Sequence, residues 1–333
     1  MISVIIINWN GKEHLEGCLA SLRKQTLTDF EIILVDNGST DGSVEYVRQV
    51  FPEVGIVALP ENLGFCGGNN AGLRHARGEL VALLNNDTEV SPHWLQALNG
   101  AAVKWPKAGL FASKMLFFDQ RERLDTAGDE FHIAGFPIKR GWRQLDGPEF
   151  NQPREIFGAC AGAALYRKEM LDRIGGLDED FFVYAEDIDL SFRAQIYGYR
   201  CRYVPEAIVY HKGSATMGKT WRWFYLSRRN QLWVMVKNMP GKLLVKYLPV
   251  LGLYHLSSIL YHGLRGRGRL ILNAYWDAWR GLPKMLQKRH IIQASRTVPI
   301  KYLDSILARG GLFSRARSPV TEQLASSTYM NPP

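Results

Sequence analysis

The chain has 333 residues, 46% hydrophobic and 22% charged, an ordinary globular balance that can bury a full α/β core and leave length for a second module. Its four cysteines, Cys18, Cys66, Cys160 and Cys201, stand singly in or near apolar segments, which excludes a CxxC framework and points to free thiols in a reducing compartment. The net charge of +9 conceals a division: residues 1–215 carry 22 Lys+Arg against 29 Asp+Glu, a balance of −7, whereas residues 216–333 carry 19 against 3, a balance of +16.

The opening MISVIIINWNG has no basic leader pattern and reads as a first strand, so a cytoplasmic protein is expected. Short apolar runs then alternate with amphipathic stretches: a strand over 3–8, a helix over 12–25, a strand over 30–36, a helix over 43–51 and a strand over 54–59. A Gly/Asn-rich loop follows and opens a helix reaching Ala76. Next come a strand at Leu80, a helix over 92–104 with Ser91 as N-cap and Pro92 in its first turn, and a strand over 110–114. This βαβ alternation predicts a mostly parallel central sheet flanked by helices. Between Met115 and Glu155 the periodicity fades into a charged, Gly/Pro-bearing excursion or hairpin over the site. Order returns with a strand and small-residue loop over 156–166, a short helix over 168–174 and a helix starting near Glu186; residues 201–211 read as a strand pair broken at Pro205.

Past Gly213 the chain becomes aromatic and basic. TWRWFYLSRRNQLWVMVKN has helical spacing, and the run from Leu243 to Leu264 is about long enough to cross a bilayer at roughly 1.5 Å per residue. That run contains Lys246, Pro249, His255 and His262, and Arg265, Arg267 and Arg269 follow it, so interfacial, transmembrane and buried helices all remain open. The division expected is a catalytic domain over 1–215, a membrane-associating helical region over 216–313 and a disordered tail over 314–333. A +16 segment would also suit nucleic acid, but the long apolar run has too few charges to track a phosphate backbone, which favours an anionic membrane surface.

Five constellations carry chemistry. In LVALLNNDTEV, five apolar residues end in Asn85, Asn86 and Asp87 where a buried strand leaves its sheet; this is either a strand-ending Asx turn or oxygen ligands for a divalent cation carrying a diphosphate. In VDNGSTDGS, Asp36 ends a strand before a helix N-terminus, either as turn chemistry or as an acceptor for a nucleobase imide or ribose hydroxyl. No GxGxxG follows the first strand and no GxxxxGK[ST] occurs, which disfavours dinucleotide oxidoreductases and P-loop NTPases. ENLGFCGGNNAGL offers close backbone approach at Gly64, Gly67 and Gly68 and amides at Asn62, Asn69 and Asn70. In AEDIDLSFR, Glu186, Asp187 and Asp189 crowd one helix start, where mutual repulsion raises at least one pKa; Asp189 is placed to pair with Arg193, which leaves Asp187 as the candidate base. Finally, His211 ends the strand AIVYH, as a structural residue or as an imidazole completing a Mn²⁺-type site.

Taken in order, VDNGSTDGS, NLGF, LLNNDTEV, AEDIDLSFR and the YH strand end resemble the family 2 inverting glycosyltransferases of the GT-A fold, more narrowly the rhamnosyltransferase-like, non-processive branch of bacterial surface-polysaccharide assembly. The resemblance spans about Ile2 to Met217. It implies a GT-A domain that moves one sugar, such as rhamnose, from a nucleotide-sugar donor to a glycan or lipid-linked acceptor at the cytoplasmic face of the membrane. It implies donor contacts at Asn8, Asp36, Asn37, Asn62, Gly64, Asn70, Asn85 and Asn86, a divalent cation (Mn²⁺ or Mg²⁺) on Asp87 and His211, and proton abstraction by Asp187. The acceptor falls to Gly158, Ala159, Gly162 and Glu186. The paired aspartates usual in the metal motif are reduced here to one, so metal dependence without tight binding is implied. TWRWF lacks the glutamine of the processive QxxRW motif, which favours single-sugar transfer. A membrane-associated pseudoenzyme or scaffold is the rival reading, supported by the single Asp87 and opposed by the intact Asp187.

Overall fold

The computed structural model describes residues 1–213 and 221–310. The first part runs β1 (Ile2–Asn8), α1 (Lys12–Arg23), β2 (Phe30–Asp36), α2 (Ser43–Val50), β3 (Gly55–Ala58), α3 (Gly64–His75), β4 (Leu80–Asn85), β5 (Thr88–Val90), α4 (Trp94–Lys104) and β6 (Ala108–Phe117). The segment expected as an excursion contains β7 (Leu124–Thr126), β8 (Asp129–Phe131), β9 (Pro137–Lys139) and β10 (Arg154–Ile156), with β8 and β9 forming their own two-stranded sheet. β11 (Ala163–Arg167), α5 (Lys168–Ile174), α6 (Glu186–Ile196) and β12 (Arg200–His211) follow. After the undescribed residues 214–220 come α7 (Trp221–Asn238), α8 (Gly241–His262), α9 (Gly268–Arg280), α10 (Leu282–Ala294) and α11 (Ile300–Ile306). The expected boundary at 215/216 and the expected tail over 314–333 lie outside the described residues.

The main sheet has the order β10-β12-β6-β11-β4-β1-β2-β3. It is parallel from β3 through β4, and mixed beyond, because β11 enters antiparallel between β4 and β6 while β12 runs parallel to β6. Alternate residues of each strand feed opposite faces, so Ile5 joins one hydrophobic cluster while Val4 and Ile6 join the other. β4 is buried along Val81–Leu84, as expected of a strand covered on both sides. Each such Leu, Ile or Val contributes roughly 1.5–3 kcal/mol on burial, which makes this sheet the rigid frame of the site.

Two local expectations are corrected. Pro92 precedes α4 instead of opening it, since the helix begins at Trp94 with His93 as its cap. The strand pair broken at Pro205 is one strand: β12 stays paired with β6, and its register slips between Val204 and Ile208 so that the proline, with no N–H to give, sits in the irregularity. That slip has a functional result. It lets the end of β12 pair also with β5, His211 opposite Thr88, and so carries the histidine beside Asp87.

The C-terminal helices pack back onto this frame. α7 buries twelve of its eighteen residues, among them Arg228, Asn230, Lys237 and Asn238, and Lys237 reaches Asp178 and Asp189 of the sheet domain. α8 and α9 form a hairpin across a bend at Gly266 (φ +74), tied by His255 Nδ1 and the Tyr275 hydroxyl 2.6 Å apart. By length and composition the stretch 241–280 is long and apolar enough to cross a membrane, and it is bent at that point.

Candidate active site

Parallel strands end on one edge, and the register of β1, β2 and β4 sets Asn8 opposite Asp36 and Ile7 opposite Asn85. Asn8 ties that edge together: its Nδ2 donates to Asp36 Oδ1 at 3.2 Å, and its Oδ1 accepts from Asn86 Nδ2 at 2.8 Å. Asp36 also accepts the Ser39 N–H at 3.0 Å. Above this edge lies a cavity of about 540 Å³. Asn37, Asn62, Gly64, Asn85, Asn86, Asp87, Gly162, Glu186, Asp187 and His211 all line it, drawn together from six separate stretches of sequence.

Asn37 and Asn62 shape the cavity wall through their own hydrogen bonds. Asn37 Nδ2 donates to Asn62 Oδ1 (2.9 Å) and to the Gly64 carbonyl (3.0 Å), while its Oδ1 accepts the Leu63 N–H (2.9 Å). Gly64 has φ +74, and a Cβ there would lie 2.6 Å from Phe182, so only glycine fits. Four expected residues stand behind the wall. Asn8 and Asp36 are buried beneath it. Gly158 pairs through its backbone with Asp129, and Ala159 donates its N–H to Ser191 Oγ at 3.3 Å. Asn70 is a fifth and faces elsewhere, because its amide bridges the Leu177 backbone (3.0 and 2.8 Å) and Glu179 (2.9 Å).

The cation candidates meet on the cavity wall. His211 Nε2 lies 3.3 Å from Asp87 Oδ1, and its Nδ1 lies 2.8 Å from Asp125 Oδ2, so a carboxylate orients the ring from behind in the manner common at metal sites. Burial opposes protonation of His211, but its hydrogen bonds to Asp125 and Asp87 prevail and raise its pKa to about 9. Asn85 Oδ1 is buried with no hydrogen-bond partner among the described residues. Carboxylate, imidazole and amide oxygen together suit Mn²⁺ or Mg²⁺.

Acidic groups also crowd the wall around Asp187. Asp187 and Asp129 carboxylate oxygens and Cys160 Sγ all lie within 4.8 Å of one another. That triad could also hold an ion, but a thiol suits softer metals than Mn²⁺ or Mg²⁺. Burial, then the charge of Asp187, pushes Asp129 up to about 8. Burial likewise raises Asp187, against the stabilising Ile188 N–H at 2.8 Å and the nearby Lys139. Glu186 is raised well above the usual range by burial and by Asp187, and its Oε2 has no partner among the described residues. Asp189 turns away from the cavity and is ion-paired with Arg193 (2.9 Å) and Lys237 (2.8 Å), the supporting role expected for it.

Sequence reasoning missed Asp125, Asp129, Lys139 and Trp142 from the 115–155 segment, and Trp223, Ser227 and Gln231 from α7, all on or just behind the cavity wall. One signal was available: Asp125 and Asp129 flank a glycine with φ +95, the same pairing of carboxylates and turn that marks Val35–Ser43.

A half-parallel sheet with cavity-facing amides and carboxylates along one edge defines a GT-A type fold. Residues 3–175, slightly more than half of the chain, match Glycosyl transferase family 2, and the chain belongs to that family. It is similar to the N-acetylglucosaminyl-diphospho-decaprenol L-rhamnosyltransferase of Mycobacterium tuberculosis, 30% identical over 241 residues that cover 65% of this chain and 78% of the relative. It is also similar to the amylovoran biosynthesis glycosyltransferase AmsE of Erwinia amylovora, 26% identical over 70% of this chain and 84% of the relative. Among solved structures, S. aureus TarS 1–349 in complex with UDP-GlcNAc superposes with a TM-score of 0.58 at 19% identity, covering 92% and 90% of the two chains. The mannosyltransferase PcManGT from Pyrobaculum calidifontis, in complex with GDP-Man and Mn²⁺, gives 0.52 at 21% identity, covering 97% and 84%.

Proposed function

We propose that this glycosyltransferase moves a single sugar, with inversion, from a nucleoside-diphosphate donor to a hydroxyl of a lipid-linked glycan, in surface-polysaccharide synthesis on the cytoplasmic face of the membrane. The observation that carries the reading is one cavity lined both by a carboxylate suited to proton abstraction, Asp187, and by a diphosphate-suited cluster, Asp87 with His211. The rhamnosyltransferase relative and its diphospho-lipid substrate name support rhamnose and a lipid-linked acceptor.

Asp187 takes the proton of the acceptor hydroxyl as that oxygen attacks the anomeric carbon; the bond from that carbon to the diphosphate oxygen breaks on the opposite face. Asp129 adjoins Asp187, and two such buried carboxyls do not both release their protons readily; the Ile188 N–H on Asp187 Oδ1 favours the ionised form of Asp187. The Asn37–Asn62 pair lines the nucleoside subsite, and Asp36, anchored by Asn8 and Ser39, supports it from beneath. A divalent cation held by Asp87, His211 and Asn85 would neutralise the departing diphosphate. Gly162 and Cys160 leave room for the acceptor at the cavity wall.

The membrane surface rests on α8 and α9. Val245, Leu248, Leu253, Leu256, Leu260 and Leu264 are between 54% and 90% exposed, and Arg265, Arg267 and Arg269 adjoin them. An apolar stripe with a basic end fits the interface of an anionic bilayer.

Asp187→Asn tests the chemistry. Transfer is expected to fall by roughly 10²–10⁴-fold with donor binding retained, and near-wild-type transfer would falsify the base assignment. A wild-type protein that binds donor and transfers nothing would instead be the scaffold.

A further inference from the structure

The turn that delivers Asp187 to the cavity is held in a conformation that its own residues disfavour. Phe182, Tyr184 and Ala185 have φ of +65°, +73° and +66°, and none is glycine. Left-handed backbone at three positions within four residues persists only where the surroundings impose it.

The imposing group lies on α7. Asn230, fully buried, directs Nδ2 at three carbonyl oxygens of this turn: Phe181 at 3.0 Å, Val183 at 2.9 Å and Tyr184 at 2.8 Å. Its other amide atom is also fixed, since Arg229 Nε donates to Asn230 Oδ1 at 2.9 Å and thereby sets which way the amide faces. Arg229 adds bonds from Nη2 to the Asp180 and Phe181 carbonyls at 3.1 and 3.2 Å, and its guanidinium lies 4.2 Å from the Trp233 ring centroid. Carbonyls that point inward at a turn need donors; the two N–H groups of the Asn230 amide serve the Val183 and Tyr184 oxygens and share in binding the Phe181 oxygen, which also takes Arg229 Nη2 and the Val183 N–H. On its far side the same turn meets the donor wall, where the Phe182 carbonyl accepts the Cys66 N–H at 3.1 Å.

We propose that Asn230 is a positioning residue for sugar transfer: with its amide locked by Arg229, it holds the 182–185 turn left-handed so that the Asp187 carboxylate faces the acceptor. The proposal rests on the reading of Asp187 as the base. It also gives the Arg229-Asn230 pair of the basic aromatic helix a task in catalysis separate from lipid contact.

The test uses the full chain with a nucleoside-diphosphate L-rhamnose donor and an N-acetylglucosaminyl-diphospho-lipid acceptor, and follows kcat, donor KM and the melting temperature. In Asn230→Ala, kcat is expected to fall by roughly 10–100-fold, the scale of a misplaced reactive group, while donor KM stays within about twofold. Adding Ala185→Gly to that variant is expected to restore part of the lost kcat, because glycine takes φ near +66° without penalty; a packing role for Asn230 predicts no such recovery. Should Asn230→Ala not fold, Arg229→Gln frees the amide and is expected to lower kcat in the same sense by a smaller factor. A folded Asn230→Ala or Arg229→Gln protein with wild-type kcat, or a kcat loss that Ala185→Gly does not touch, overturns the proposal. Asp187→Asn runs alongside. If it abolishes transfer while the α7 variants do not, only the positioning role fails; if it transfers normally, the base reading fails and the positioning role falls with it.

Discussion

α7 and α8 are neighbouring helices with opposite fates. α7 carries Arg222, Arg228, Arg229 and Lys237 and yet buries twelve of eighteen residues; α8 is the more apolar helix and buries five of twenty-two. Hydropathy alone would order them the other way. What decides is partners: the polar groups of α7 meet carbonyls and carboxylates of the sheet region, whereas on α8 only one side, with Leu243 and Leu251, packs into the core and Leu248, Leu253, Leu256 and Leu260 stay more than half exposed. A buried cation is tolerable when it is paired and hydrogen-bonded, and an exposed apolar stripe is tolerable when another phase covers it.

The sharpest way to break this contrast is at Lys237. Its ammonium lies 2.5 Å from Asp178 and 2.8 Å from Asp189, the second fully buried and the first partly so, and Lys237→Ala leaves the two charges without their shared partner. We expect a loss of about 3–5 kcal/mol in chemical denaturation. A loss under about 1 kcal/mol would mean that α7 is held by packing alone.

On α8 the expected effect moves from folding to lipid. Leu256→Ser with Leu260→Ser should weaken partition onto phosphatidylserine-containing vesicles by roughly 20–400-fold, given about 1.5–3 kcal/mol per leucine fully transferred and side chains that are a little over half exposed. The same pair should change unfolding free energy by no more than about 0.5 kcal/mol. If instead the protein melts early, this face belongs to the core and the distinction between the helices fails. Retention on DNA with no flotation on vesicles would reassign the basic end to nucleic acid.

Acid provides a milder probe of the α7 contacts. Lys237 and its neighbours hold Asp178 and Asp189 below their ordinary range despite burial, which acts in the other direction. A depressed carboxylate contributes stability that is present above its unfolded pKa, near 4, and is lost as pH falls through the lower folded value. The denaturation midpoint should therefore drop steadily below about pH 4, and the drop should be shallower in Lys237→Ala. Equal slopes would remove these pairs from the account.

Much of the catalytic half was legible because its signals are local. Phe30–Asp36 and Lys168–Ile174 begin and end where apolar periodicity and flanking turn residues place them. Asp36, Asp87 and Asp187 stand out because each follows or opens an element at the edge where parallel strands end. Asn70 shows the limit of that logic. It shares composition with Asn62, but the side of α3 on which it falls turns it to Leu177 and Glu179. The 115–155 segment was opaque for another reason: β7 to β10 are three residues each, too short for a period to show, so Asp125 and Asp129 could not be placed.

By itself, then, the order of residues determined the parallel half of the sheet, the polar edge where its strands end and the family, because periodicity and strand-end chemistry act over a few residues. Only the tertiary structure decided which helix of the C-terminal region is buried, which carboxylate backs His211 and what holds the turn before Asp187. Those outcomes depend on partners far apart in the chain, as when Lys288 reaches Asp178 across 110 residues, and no local pattern records them.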